Sequence, residues 1–125
     1  MSEYRKLTPK LHQRFFSPEK SHFVFYCPGC GRTHWYYVGP GFVHPRRWEF
    51  NGNIDLPSFT PSLRNSIQDV DEEGEPKVDQ NGNPVMVTKC HLYVTAGKIS
   101  YCGDCQHALN GQTVDMVDLP KDWED

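Results

Sequence analysis

The feature that most constrains this chain is a pair of cysteines in the segment Cys27-Pro28-Gly29-Cys30-Gly31. Two thiolates three positions apart on a tight turn can both reach one tetrahedral Zn²⁺ at about 2.3 Å. A thioredoxin-type redox motif has the same spacing, but it opens a helix in a βαβ unit. Strand-like runs lie on both sides of this turn instead. We therefore predict that Cys27 and Cys30 bind a structural Zn²⁺.

Composition agrees with a metal site rather than a disulfide framework. The chain has five cysteines, an odd number, and it begins without the apolar run of a secretory signal; disulfide frameworks are normally even and secreted. No stretch approaches the eighteen apolar residues of a membrane span. We expect a cytoplasmic protein with no membrane contact. A net charge of −3 argues against nucleic acid as the main partner, although Arg46-Arg47 beside Trp48 is a candidate basic patch.

The chain of 125 residues has the length of one domain, and its ten Gly and ten Pro divide it into short pieces. The pattern predicts a mostly β fold: a small single domain of short antiparallel strands with a zinc-ribbon-like CxxC knuckle. Pro57 and Pro61 should confine the intervening segment 58–67 to a loop or an edge strand. We expect an extended N-terminal arm (1–21, with at most one helical turn around Leu11 to Phe16), a zinc-binding β domain (22–120) with an inserted acidic loop and hairpin (68–88), and a tail (121–125).

The second half of the metal site has two candidate solutions. Cys102-Gly-Asp-Cys105 repeats the CxxC spacing, but Cys90 competes with it. Residues alternate between the two faces of a strand. If Ala96-Gly97 is a two-residue hairpin loop, Cys102 lies opposite His91, and Cys90 and Cys102 point to different faces. Cys90 and Cys102 are then not expected to bind the same ion.

The face away from Cys90 contains the parts of an acyl-transfer site. His91 lies on that face, Asp104 and His107 follow soon after it, and Ser62 comes directly after Pro61. In such a site the imidazole removes the hydroxyl proton, the carboxylate orients the imidazole, and the serine attacks a carbonyl. The same His91, Asp104 and His107 are also candidate ligands of an open, catalytic zinc. Free-thiol catalysis by Cys102 or Cys105 is a further alternative.

Five motifs follow one another along the chain: Cys27-Pro-Gly-Cys30, Trp48-Glu-Phe-Asn-Gly, Pro57-Ser-Phe-Thr-Pro-Ser62-Leu, Cys90-His91-Leu-Tyr-Val and Gly103-Asp-Cys-Gln-His107-Ala-Leu-Asn-Gly-Gln-Thr-Val114. In this order they resemble a family of small phage and prophage proteins of uncharacterised function, often mislabelled as ammonia monooxygenase. The resemblance covers roughly residues 22 to 120.

That phage family is distantly similar to the peptidase-like proteins of bacterial ubiquitin-like conjugation operons. This second resemblance implies a zinc-supported hydrolase, with Ser62 matching a Pro-Ser serine and His91 a later histidine. In the phage branch, Cys102 is not part of the pattern, whereas Cys90 and Cys105 often are. The resemblance therefore implies a ligand set of Cys27, Cys30, Cys90 and Cys105.

The leading prediction is a serine peptidase or isopeptidase that acts on a protein or ubiquitin-like substrate in the cytoplasm of a bacterial host. Its predicted catalytic residues are Ser62, His91, Asp104 and His107, and its zinc is structural. The alternative is a non-catalytic zinc-ribbon module that binds protein or nucleic acid. In that case the rings of Trp35, Tyr36 and Tyr37 could stack on bases, as aromatic side chains on sheets do. A third alternative is a structural protein that docks through the acidic segment 69–75.

Overall fold

The computed structural model describes residues 4–42 and 47–123. Within these ranges the chain forms nine β-strands in two antiparallel sheets, and it contains no helix. The predicted mostly β, single-domain fold is therefore confirmed. No helix with the length and hydropathy needed to cross a membrane occurs in this part of the chain. The predicted basic pair is only partly described, because Arg46 lies outside these residues.

The first sheet is formed by the N-terminal part of the chain, and the cysteine turn connects its last two strands. The predicted strands on either side of that turn are confirmed. The segment from Leu11 to Phe16, for which at most one helical turn is expected, is a strand instead: it pairs with the next strand and buries Leu11 completely. Residues 5–17 of the predicted arm are thus hydrogen-bonded into a sheet. Its strands, in spatial order, are β1 (Arg5–Thr8), β2 (Leu11–Ser17), β3 (Lys20–Cys27) and β4 (Arg32–Val38).

The second sheet contains the remaining strands in sequence order. They are β5 (Glu49–Phe50), β6 (Phe59–Gln68), β7 (Met86–Thr95), β8 (Lys98–Tyr101) and β9 (Thr113–Asp115). β6 was predicted as a loop or an edge strand, but it lies between β5 and β7. The sheet accommodates Pro61 because the β6–β7 ladder is irregular between Phe59 and Leu63. A proline at such an irregularity removes no ladder hydrogen bond.

The segment between β6 and β7 repeats one turn design. Asp71 Oδ1 accepts the backbone N–H groups of Glu73 and Glu75, each at 2.9 Å. Asp79 Oδ1 accepts those of Asn81 and Asn83, at 2.9 and 3.0 Å. Asparagine and aspartate side chains commonly stabilise turns in this way. The predicted acidic loop and hairpin are therefore two copies of the same exposed turn.

The core lies where the inner faces of the two sheets meet. Tyr36 of β4 stacks on Phe59 of β6, with ring centroids 4.2 Å apart, and it also stacks on Phe25 at 5.5 Å. All three rings are completely buried. Tyr36 is therefore a core residue and not the exposed base-stacking ring of the alternative hypothesis, because alternation along β4 turns it inward. The same alternation leaves Trp35 exposed.

Candidate active site and metal site

Adjacent strands place Ser62 and His91 on the same face of the second sheet. Arg64 of β6 pairs with His91 of β7. Ser62 precedes Arg64 by two positions and therefore lies on the same face of the sheet as Arg64 and His91. The Ser62 Oγ and His91 Nε2 atoms are 2.9 Å apart. On the other side of the ring, Nδ1 lies 3.2 Å from each carboxylate oxygen of Asp104. The imidazole thus connects a hydroxyl group to a carboxylate.

The strand irregularity before Leu63 explains how Ser62 is presented. Between the pairs Phe59–Val94 and Leu63–Leu92, β6 has two more residues than β7. Irregularities of this kind bend a strand and re-aim its side chains. The backbone is held there from the other side, because Trp48 Nε1 donates to the Ser62 carbonyl oxygen at 3.1 Å.

A tight turn after β8 brings Asp104 over His91. Cys102 N–H donates to the His91 carbonyl at 2.8 Å, which extends the β7–β8 ladder by one pair. The Asn110 amide then donates to the carbonyls of Gly103 and Cys105, at 3.1 and 3.2 Å. The Asp104 side chain remains 48% exposed, against 24% for His91. Solvent therefore weakens the electrostatic interaction between Asp104 and His91 relative to that of a buried pair.

This arrangement assigns roles to the two nitrogens of His91. A carboxylate at Nδ1 favours the Nδ1–H tautomer, which leaves the Nε2 lone pair facing the serine hydroxyl. Nε2 is then placed to accept the proton of Ser62. Both ring nitrogens have partners, and His107 is not among the residues near them. The structure does not bring together His91, Asp104 and His107, the alternative predicted set for a catalytic zinc.

His107 lies on the other side of the sheet, against the cysteine turn. Its Nε2 is 3.5 Å from Cys90 Sγ, and its ring packs edge-on against Tyr101 at 4.6 Å. Its Nδ1 accepts the Leu109 N–H at 3.2 Å. Nε2 therefore carries the ring proton of the neutral tautomer and donates to the Cys90 sulfur. In this position His107 orients Cys90 and does not contact Ser62.

Four side chains form a group whose ligand atoms all lie within 4.8 Å of one another: Cys27, Cys30, His34 and Cys90. The first three come from the first sheet and its turn, and Cys90 comes from β7 of the second sheet. The Cys27 and Cys90 sulfurs are 3.9 Å apart. Three cysteines and one histidine are a frequent donor set of structural zinc sites. The group could hold a metal ion that links the two sheets.

His34 was not predicted as a ligand from the sequence. This side chain is almost completely buried, and its Nε2 has no hydrogen-bond partner among the residues that the structure describes, while its Nδ1 lies 2.7 Å from the Asn65 amide nitrogen. A buried polar atom without a partner is unfavourable unless something binds it. His34 lies on β4, four positions after Cys30. This closeness to the cysteine turn was the signal in the sequence that could have identified it.

The three cysteines of this group influence one another's ionisation. A hydrogen bond from the Cys90 thiol lowers the pKa of Cys27 to about 3. Burial raises the pKa of Cys30 to about 11, and the hydrogen bond to Cys27 raises the pKa of Cys90. The Tyr101 hydroxyl donates to Cys27 Sγ at 3.1 Å and accepts the Gly29 N–H at 3.3 Å. Without a cation, the surroundings favour the thiolate form of Cys27 alone. A divalent cation would compensate the negative charges of the Cys30 and Cys90 thiolates as well.

The remaining two cysteines lie elsewhere. Cys105 is outside the four-residue group and contacts the His91 backbone, accepting its N–H at 3.2 Å and donating to its carbonyl at 3.1 Å. It forms a second group with Cys90 and His107. Cys102 lies near His91 and Asp104. The hairpin register on which its predicted position depended is confirmed, because Thr95 pairs with Lys98 across the Ala96-Gly97 loop.

A cleft of about 730 Å³ opens beside Ser62, between β4 and β6. Ser62 and Pro61 line one end, and the wall continues along β6 to Ile67. Trp35 and Trp48 contribute aromatic surface. A volume of this size lies in the range of small-ligand sites, so a substrate segment has room next to the serine.

A serine hydroxyl, an imidazole and a carboxylate linked in this order are the constellation of serine hydrolases. The family comparison agrees with this class. Residues 3–102 match the sequence model of the family described as the bacterial ubiquitination-like system serine protease (BubE). The chain belongs to this family, and the resemblance to peptidase-like proteins of ubiquitin-like operons is confirmed. Ser62 and His91 lie within the matched range, and Asp104 lies just beyond it.

Comparison with curated proteins and with solved structures finds no match. The likeness to phage and prophage proteins and the cytoplasmic location stay predictions.

Proposed function

We propose that this chain is a serine peptidase or isopeptidase that cleaves an amide bond in a protein conjugated to, or ending in, a ubiquitin-like tail. The observation that carries the proposal is the continuous connection from Ser62 Oγ through both nitrogens of His91 to Asp104. Membership of a serine protease family of bacterial ubiquitination-like systems supports the same activity. The catalytic residues are Ser62, His91 and Asp104.

The reaction follows from the positions of these atoms. His91 Nε2 takes the proton of Ser62 as Oγ forms a bond to the carbonyl carbon of the substrate. The imidazolium then donates that proton to the departing amine nitrogen, and the C–N bond breaks to leave an acyl ester on Ser62. Water attacks the ester, again with His91 as the base, and the carboxylic acid product leaves as Ser62 regains its proton. Asp104 orients the ring and stabilises its charged form.

The proposed metal is Zn²⁺, bound by Cys27, Cys30, His34 and Cys90, with His34 in place of the predicted Cys105. Bound there, the ion supplies a structural cross-link between the sheets and takes no part in the reaction. His34 would bind through Nε2, while its Nδ1–H donates to the amide oxygen of Asn65; this requires the opposite orientation of that amide, whose oxygen and nitrogen exchange by rotation. His107 keeps its hydrogen bond to the Cys90 sulfur.

A fluorophosphonate probe tests the activity, because it reacts covalently with activated serines. We expect labelling of the wild-type protein, with the modified peptide containing Ser62, and cleavage of a ubiquitin-like fusion protein. Ser62→Ala should abolish both and leave the zinc content unchanged. Ser100→Ala removes a hydroxyl from the neighbouring β8 and serves as the matched control. Full cleavage activity in Ser62→Ala would contradict the proposal.

The alternative of a non-catalytic zinc-ribbon module that binds protein or nucleic acid would predict the opposite result. A folded, zinc-loaded wild-type protein would then show no labelling at Ser62 and no cleavage of any fusion protein. Of the three rings predicted to stack on bases, Trp35 is exposed, Tyr37 is half-buried and Tyr36 is buried. This weakens the nucleic-acid form of the alternative, because base stacking needs accessible ring faces.

A further inference from the structure

The cleft beside Ser62 is positively charged, whereas the protein as a whole has a negative net charge. The lining of the cleft includes Arg32, Arg64 and Lys89, and none of the described residues that line it is an aspartate or glutamate. The whole chain has sixteen acidic and thirteen basic residues. A cationic cleft in an acidic protein attracts an anionic ligand and repels a cationic one.

The three cations form no salt bridges among the residues that the structure describes, although the charge of Lys89 contributes to the lowered pKa of Asp69. None of them has a carboxylate oxygen within the 4.0 Å of a salt bridge. Arg64 Nε donates to Thr88 Oγ1 at 2.9 Å, which orients its guanidinium group without neutralising it. The charges of Arg32 and Arg64 are therefore available to a ligand in the cleft, and that of Lys89 is shared with Asp69.

The strands on both sides of the cleft have open edges. β4 is the last strand of the first sheet, and within the described ranges its far side from β3 is bridged only at its end, where Val38 pairs with Trp48 and Trp48 N–H donates to the Tyr37 carbonyl at 2.8 Å. β5 covers β6 only at Phe59 and Thr60, so the following residues of β6 pair with β7 alone. Open edges present unpaired backbone groups, which an extended peptide can satisfy by adding as a strand.

We propose that this cleft binds an extended acidic peptide, and that the substrate of Ser62 carries Asp or Glu close to the scissile bond. The inference rests on the proposed function and adds the class of substrate. Arg64 lies two positions from Ser62 on β6, and Lys89 adjoins β6 near Ser66. At about 3.3 Å per strand residue, acidic side chains roughly two to four residues from the scissile bond would meet these cations.

Fluorogenic peptides of one length test this preference. One series carries Glu two to four residues before or after the cleavage position, a second carries Gln there, and a third carries Lys. We expect kcat/KM to be about tenfold higher for the better-placed Glu series than for the Lys series, since exposed ion pairs contribute modestly and additively at best. Raising the salt concentration should reduce the ratio.

Charge reversal identifies the residues responsible. Arg64→Glu and Lys89→Glu should each lower or invert the Glu-to-Lys ratio of kcat/KM, whereas Lys121→Glu, an exposed change of the same charge outside the cleft, should keep the wild-type ratio. The ratio compares substrates on one enzyme, so it is independent of how well a variant folds.

Three results would overturn the inference while the proposed function stands. They are equal cleavage of all series by an enzyme that labels at Ser62, an unchanged ratio in both reversal variants, and salt-sensitive inhibition by a single-stranded oligonucleotide, which would assign the cleft to nucleic acid. An enzyme that neither labels nor cleaves would refute the proposed function itself.

Discussion

Removing the metal should destabilise the protein by an amount that the chain connectivity predicts. The ion would join Cys27 and Cys30 of the first sheet to Cys90 of the second. Cys27 and Cys90 are 63 positions apart in the sequence. A cross-link between distant positions restricts the unfolded chain, and the entropy that it removes grows with the logarithm of the loop length.

The expected magnitude follows from that loop. For 63 residues, the loop-closure relation gives a stabilisation of about 4 kcal/mol at 25 °C. A chain of 125 residues has an unfolding entropy of about 0.26 kcal/mol/K near its melting temperature. Dividing the two predicts that Tm falls by roughly 15 °C when the metal is removed.

The assay compares thermal unfolding of the zinc-loaded protein, by circular dichroism, with that of protein treated with 1,10-phenanthroline, and it measures zinc by mass spectrometry. Cys27→Ser and His34→Ala should each lose zinc, and phenanthroline should then lower their Tm much less than it lowers that of the wild-type protein. Cys102→Ser is the matched control, because Cys102 lies outside the four-residue group. It should keep both the zinc content and the chelator response.

Two outcomes would refute this reasoning. Protein purified without chelators could lack a bound transition metal and melt at the same temperature with or without phenanthroline. Alternatively, His34→Ala could retain zinc while Cys105→Ser loses it, which would restore the ligand set that the sequence resemblance implied. A chelator response with zinc lost in both variants would mean that each residue supports the site.

The remaining predictions concern single features of the structure. Asp104→Asn should lower kcat/KM by about 10²- to 10⁴-fold with zinc unchanged, because the carboxylate fixes the His91 tautomer; a change below twofold would contradict that role. Gly29→Ala should destabilise the fold by about 1–3 kcal/mol in urea unfolding, since the new Cβ would lie 2.3 Å from the His107 ring. Gly103→Ala is the matched control, because its new Cβ meets no atom within 4 Å. Burial lowers the pKa of His22 to about 4, so the free energy of unfolding should fall between pH 6.5 and 4 as the unfolded state gains a proton first. Comparing urea unfolding of His22→Gln with wild type should show a difference of about 1–2 kcal/mol in that window, and identical pH profiles would refute it.

Local patterns in the sequence predicted the strands around the two sites. The runs on either side of the cysteine turn form β3 and β4, and the hairpin around Ala96-Gly97 has the expected register. These elements are recognisable because strand alternation and turn residues act over a few positions. The separation of Cys90 from Cys102 follows from the same alternation.

Contacts between distant segments explain what the sequence did not predict. Leu11 has few local signals of a strand, but β2 is held by pairing with β3 and by burial in the core. His34 becomes a candidate ligand only when β7 brings Cys90 beside it. His107 was grouped with the catalytic residues because it follows Asp104 by three positions, whereas the turn after β8 directs the two side chains to opposite sides of the sheet.

The adjacency of Cys90 and His91 explains how so small a domain could combine the proposed metal site with the proposed catalytic site. Successive residues of a strand point to opposite faces, so one peptide unit of β7 directs the proposed metal ligand inward and the proposed catalytic base outward. β6 repeats the arrangement, because Asn65 contacts His34 on the metal side while Ser62 contacts His91 on the other. The ion would therefore hold β7 directly through Cys90, and it would hold β6 through the contact of Asn65 with His34. The relative position of these two strands sets the distance of 2.9 Å between Ser62 Oγ and His91 Nε2. In the proposed enzyme, a metal that takes no part in the reaction would thus still determine whether the serine and its base meet.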